Sequence, residues 1–79
     1  MVSKEVNGDV VTFRVQGSLS GASVGHLEQF WRKARGRKEC QVDLRAAYEI
    51  DGEGRLLISE MFADGVELVI GAQRPARVQ

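Results

Sequence analysis

The hydrophobic period of this chain switches back and forth between two residues and about 3.6, and that switching restricts the fold more than any other feature. Residues 10–16, VVTFRVQ, alternate, with Val11, Phe13 and Val15 on one side and Thr12, Arg14 and Gln16 on the other. Residues 2–6 can form a partner strand, and Asn7-Gly8 supplies the positive-φ pair of a type I′ turn, so the chain is predicted to open on a β-hairpin with one wet face. Between Ala22 and Arg35 the period lengthens. Val24, Leu27, Phe30, Trp31 and Ala34 recur at spacings of three and four, an apolar stripe that needs a sheet to lie on. Ser20 is placed to cap this helix, and Gly36 follows a last turn rich in cations, which oppose the helix dipole.

Residues 40–46, CQVDLRA, return to a period of two, with Cys40, Val42 and Leu44 facing one way. Asp51 then opens a second amphipathic segment in which Leu57, Ile58, Met61 and Phe62 can share a face, Gly65 ends it, and residues 66–70 form a last strand. The order is strand, strand, helix, strand, helix, strand. Strands joined by helices run parallel through right-handed crossovers, which predicts an α/β fold with a four-stranded mixed sheet and two helices on one face. Thr12, Arg14, Gln16, Asp43 and Arg45 keep the other face polar. Residues 1–71 are read as a single domain and residues 72–79, with Pro75 and two arginines, as a flexible tail. At 79 residues there is room for one thin core.

Eleven basic residues balance eleven acidic ones, so no global field draws the chain to nucleic acid or to an anionic membrane. The balance hides a segregation. Five cations crowd residues 32–38, whereas residues 49–67 hold six acids and only Arg55, an asymmetry that can orient a protein partner. The longest aliphatic runs fall far short of a membrane span, and no signal-peptide core is visible, which points to the cytoplasm. Cys40, the single cysteine, reads as a small apolar core residue, and no metal or cofactor is expected.

No constellation suggests catalysis. Glu49, Asp51 and Glu53 are spaced as solvated residues of a strand-to-helix loop, with Asp51 as cap and Glu53 favoured at the positive helix end. Asp51-Gly52-Glu53-Gly54 matches no phosphate-binding glycine motif, and its acids repel anions. Ser18, Ser20 and Ser23 lie near His26 in sequence without a third, orienting group, and read as turn formers.

Three stretches resemble the STAS domain, the module of sulfate transporters and anti-sigma factor antagonists. Phe13 to Ser20, FRVQGSLS, is similar to that family's strand ending in Gly-Glu-Leu-Asp, with Gly17 and Leu19 matching and Ser18 and Ser20 in place of the acids. Val42-Asp43-Leu44 followed by Ile50-Asp51-Gly52-Glu53-Gly54 resembles its Asp-Leu strand and Ile-Asp-Ser-Ser-Gly-Leu helix start, and residues 63–70 resemble its glycine turn into an aliphatic strand. The resemblance implies a non-enzymatic interaction domain, docking on a protein partner through Gly17, Ser18, Leu19, Ser20, Asp51, Gly52, Glu53 and Gly54. Gly52 stands at the position of the family's phosphate-accepting serine, so phosphorylation there is not expected, and Glu53 holds the second serine position. The implied partner is an anti-sigma factor or kinase; an alternative is the ATPase of an ABC-type transporter, with the chain as its cytoplasmic accessory subunit. A small-molecule or anion-binding role is the third reading. The family's further helix, strand and terminal helix have no counterpart after Ile70, so a truncated domain that homodimerises through its exposed edge is expected.

Overall fold

The computed structural model describes residues 1–36 and 38–70. The order is β1 (Val2–Asn7), β2 (Val10–Leu19), α1 (Ala22–Ala34), β3 (Glu39–Ile50), α2 (Gly52–Ala63) and β4 (Glu67–Val69). Among the described residues the sheet has four strands in the order β1-β2-β3-β4, antiparallel between β1 and β2 and parallel thereafter. This is the mixed sheet that the periodicity predicts. The expected tail at residues 72–79 lies outside the described residues.

Both helices pack on one face, because that face carries the alternate apolar residues. Val11, Phe13, Val15 and Leu19 of β2 and Val42 of β3 are buried against Leu27 and Trp31 of α1 and Leu57 and Met61 of α2. The rings of Phe13 and Phe30 stack with centroids 6.3 Å apart. The opposite face is held by side-chain rows that cross the strands. Thr12 donates to Gln41, whose amide nitrogen donates to Glu67. In the next row Arg14 bridges Glu5 and Asp43, and Arg45 closes on Asp43 at 2.8 Å. Asp43 is thus buried on a polar face, beneath two arginines. Hydrogen bonds from Arg45, reinforced by Arg14, hold its carboxyl well below the usual carboxylate range although burial acts in the other direction.

Four local expectations are corrected. Asn7 pairs with Val10, so the hairpin loop is Gly8-Asp9 rather than Asn7-Gly8, with Gly8 at φ 65° taking the first central position. Ser18, read as a turn former, lies within a strand: β2 runs on to Leu19 because a lengthened β3 pairs with it as far as Ile50, absorbing two register shifts on the way. Ser20 does not cap α1. Gly21 is the N-cap, with no side-chain bond, and Ser23 instead folds back on the loop. Finally, Phe62 is 65% exposed, since Leu57 and Met61 take the sheet-facing positions and the short β4 offers little surface to the side of the last turn.

The end of α2 follows its sequence closely. Val66 N–H donates to the Met61 carbonyl and Gly65 N–H to the Phe62 carbonyl, with Gly65 at φ 97°, a Schellman stop that swings the buried Val66 into the core. Arg35 lies over the Trp31 ring and reaches Asp64 at 3.0 Å, so one member of the basic run neutralises one member of the acidic run. Arg32 pairs with Glu28 one turn away. The charge segregation seen in sequence is therefore partly satisfied within the molecule. Among the described residues no helix is long and apolar enough to cross a membrane.

Candidate functional site

The two segments singled out in the sequence meet at the C-terminal end of β2. Asp51 N–H donates to the Leu19 carbonyl, continuing the parallel pairing of β2 and β3 by one more bond into the start of α2. The Asp51 carboxylate then accepts from Gly54 N–H at 2.7 Å, the side-chain cap expected of it. Gly54 is buried directly over Leu19. A Cβ there would lie 2.8 Å from the Leu19 carbonyl oxygen and 3.1 Å from Leu19 Cγ, so only glycine lets the helix sit this close to the strand.

Gly52 and Glu53 face the other way. Both are exposed, and a Cβ on Gly52 would meet nothing within 4 Å. The helix start is thus anchored on its inner side by Asp51 and Gly54 and presents Gly52 and Glu53 outward. Glu53 lies in the first turn of α2, where the unpaired backbone N–H groups favour a negative charge.

Beside it the chain from Ser18 to Ser23 is tied by hydroxyls. Ser18 and Ser20 share a hydrogen bond of 2.6 Å, and Ser23 Oγ accepts from Ser20 N–H while lying 3.0 Å from the Ser18 carbonyl and 2.8 Å from that of Ser20. These serines partner one another and the backbone, and His26 is exposed on α1. They form a structural web rather than a nucleophile and base. Gly17, at φ 80°, turns toward the Tyr48 ring, about 3.8 Å from where its Cβ would be. Glu49 pairs in β3 and Asp51 is committed to its cap, so the three carboxylates do not converge. Among the described residues no three His, Cys, Asp or Glu side chains gather to hold a metal. Cys40 is half-buried against the core, and burial, with the nearby Asp64 charge, pushes its thiol up and away from reactivity.

Two surface residues escaped the sequence reading. Tyr48 is 83% exposed at the same end of the sheet, and Leu56 is 68% exposed one turn after Gly52. Between Leu56 and Val24 of α1 runs an open groove of about 300 Å³ edged by Glu28, Glu53 and Glu60. Their shared signal is that an apolar residue out of phase with its own element's buried stripe has no core to enter.

No protein-family model matches the sequence, and no curated protein does. Solved structures do match. The chain is similar to the anti-sigma factor antagonist SpoIIAA in its unphosphorylated form, with a TM-score of 0.73 at 16% identity, over 95% of this chain and 76% of that one. It is also similar to the STAS domain of an anti-sigma factor antagonist from Rhodobacter sphaeroides, with a TM-score of 0.62 at 21% identity, over 90% of this chain and 84% of that one. A third likeness is to Mglu, with a TM-score of 0.68 at 27% identity over 98% of this chain, which spans only 20% of the Mglu chain. The fold is STAS-like. In Mglu the same fold is a fraction of a much larger chain.

Proposed function

We propose that the chain is a non-catalytic interaction domain that docks on a protein partner through the end of the sheet where Gly17–Ser20 meets Asp51–Gly54. The observation that supports this reading above others is the helix start itself. Asp51 and Gly54 spend their side-chain oxygen and their missing Cβ on holding α2 against Leu19, leaving Gly52 and Glu53 rigidly displayed on open surface. A preorganised backbone with exposed neighbours of both kinds, Tyr48 and Leu56 apolar and Glu53, Glu28 and Glu60 acidic, suits a partner with a basic rim around an apolar contact.

Because Gly52 carries no hydroxyl, the surface is unswitched at that position, and Glu53 holds a permanent charge beside it. The resemblance to anti-sigma factor antagonists favours an anti-sigma factor or its kinase as partner, with a transporter ATPase as the second candidate. We place the protein in the cytoplasm on the same grounds, and self-association on the β4 side remains part of the proposal. Titration calorimetry of the purified chain against each candidate partner from its host tests the choice. Binding to one of them, weakened about tenfold or more by Glu53→Lys, supports the reading. Equal affinity of wild type and Glu53→Lys, or a phosphate found by mass spectrometry within residues 51–59 after incubation with the kinase, contradicts it.

A further inference from the structure

β1 forms one edge of the sheet, and the backbone pairing defines what that edge offers. Met1 and Gln16 exchange both of their backbone hydrogen bonds. Antiparallel pairs alternate, so Ser3, Glu5 and Asn7 also turn their N–H and C=O groups inward to β2, and Val2, Lys4 and Val6 turn theirs out. Among the described residues no strand lies beyond them. The row is a ready template for an added strand.

Behind that edge, on the helix side, lies a groove of about 150 Å³ whose apolar lining is Val6, Val11, Phe30 and Ala34. Three lysines line it and no acid does: Lys4 from β1, Lys33 from the last turn of α1, and Lys38 before β3. Lys4 hangs over the Phe30 ring at 5.8 Å, and Lys38 donates to the Gly8 carbonyl, so these cations frame the groove without an acidic partner in the described structure. Val6 is 52% exposed at its mouth. The volume suits one aromatic or branched side chain.

We propose that the β1 edge and its lysine-framed groove form a second docking surface, which takes an extended acidic peptide segment of a protein partner by strand addition. The added strand bonds to Val2, Lys4 and Val6, seats one large apolar side chain against Phe30, and sets acidic residues two positions to either side beside the lysines. This surface is independent of the one formed by Gly17–Ser20 and Asp51–Gly54, because Val6 and Val11 lie toward the start of β2 and Leu19 closes its far end.

Two other occupants are disfavoured by charge. Two-fold pairing of β1 with a second copy, in the register that uses all three outward residues, keeps the helices of both copies on one side, sets Lys4 directly against Lys4 and brings both lysine sets together. Residues 71–79 carry two arginines and no acid, so the chain's own tail has the wrong sign.

The probe is a seven-residue peptide, Thr-Glu-Thr-Phe-Thr-Glu-Thr with blocked ends, titrated into the full 15N-labelled chain. The expected result is a saturable shift of the Val2, Lys4, Val6, Phe30 and Lys33 amides, with slowed hydrogen exchange at Val2, Lys4 and Val6. The double variant Lys4→Glu, Lys33→Glu is expected to bind about tenfold more weakly. Both side chains are exposed, so its melting curve serves as the check on folding. The same peptide with Lys for Glu requires no variant and is expected not to bind. The proposal is overturned by equal binding of the acidic and basic peptides, or by absence of the shifts. It is also overturned if those amides become protected with protein concentration alone, which means a second copy, or if the chain sediments with phosphatidylserine vesicles while ignoring the peptide.

Discussion

The two helices begin at the same end of the sheet and are secured in opposite ways. At α2 the capping is local and the packing is tight: Asp51 accepts from Gly54 N–H, and Gly54 lies against the Leu19 backbone with no room for a methyl group. At α1 the N-cap is Gly21, which offers no side chain, and the loop before it is tied by Ser23 reaching back to residues 18 and 20. One start is fixed by shape and the other by a small polar web. The lesson is that α2 leaves its exposed residues free for other work, because the anchoring groups and the displayed groups are different residues.

The largest effect separates the two glycines of α2. Gly54→Ala is expected to cost about 2–3 kcal/mol, since the new methyl meets a backbone oxygen and a leucine rather than the end of a flexible chain. Gly52→Ala, in open space two residues earlier, is expected to be stabilising by about 0.5–1 kcal/mol through helix propensity. Urea unfolding measures both, and equal costs break the division between anchor and display.

Next comes a feature outside both junctions. Asp43→Asn, which removes the charge that Arg45 and Arg14 clasp, is expected to cost about 1–3 kcal/mol at neutral pH. The sign of its pH dependence follows from the lowered carboxyl. The stabilisation is complete above the unfolded value of about 3.9 and is lost as pH falls through the lower folded value. Thermal melts from neutral pH into the acid range below about pH 4 should therefore show wild type converging on Asp43→Asn. A constant gap between them assigns acid sensitivity elsewhere.

The caps rank below. Asp51→Ala is expected to cost about 1 kcal/mol through loss of the Gly54 bond. At α1, Ser23→Ala should cost about 1 kcal/mol and Ser20→Ala only a few tenths, because the Ser20 hydroxyl bonds only to Ser18 Oγ whereas Ser23 ties three backbone groups. The reverse order restores Ser20 as the organising side chain.

Much of this architecture was legible, and the residues show why. β2 and α1 announce themselves because Val11, Phe13 and Val15 alternate cleanly and Leu27 and Trp31 keep the helical spacing, signals that depend on local geometry alone. The reach of β2 to Leu19 was not legible. Gly17 and Ser18 have turn chemistry, and only the neighbouring residues 47–50 claim them for the sheet. Asp51 as a cap could be read from its place before an apolar run, whereas the contact of Gly54 with the Leu19 carbonyl joins residues 35 positions apart and has no local signature. Tyr48 and Leu56 went unnoticed for the converse reason. Periodicity rewards any apolar residue, and only the folded surface reveals which ones lie outside the core.

Photocrosslinking from position 52 tests the docking surface most directly. A photoreactive phenylalanine replaces Gly52, where space is open, and in a second chain replaces Ala63, which is exposed in the last turn of α2 and lies apart from both proposed docking surfaces. Carried out in the native host, the experiment is expected to give a discrete adduct with one protein from position 52, none from position 63, and loss of the adduct when Glu53→Lys is added. Adducts of equal yield from both positions, or an adduct from position 52 that Glu53→Lys leaves unchanged, contradict a partner docking at the start of α2.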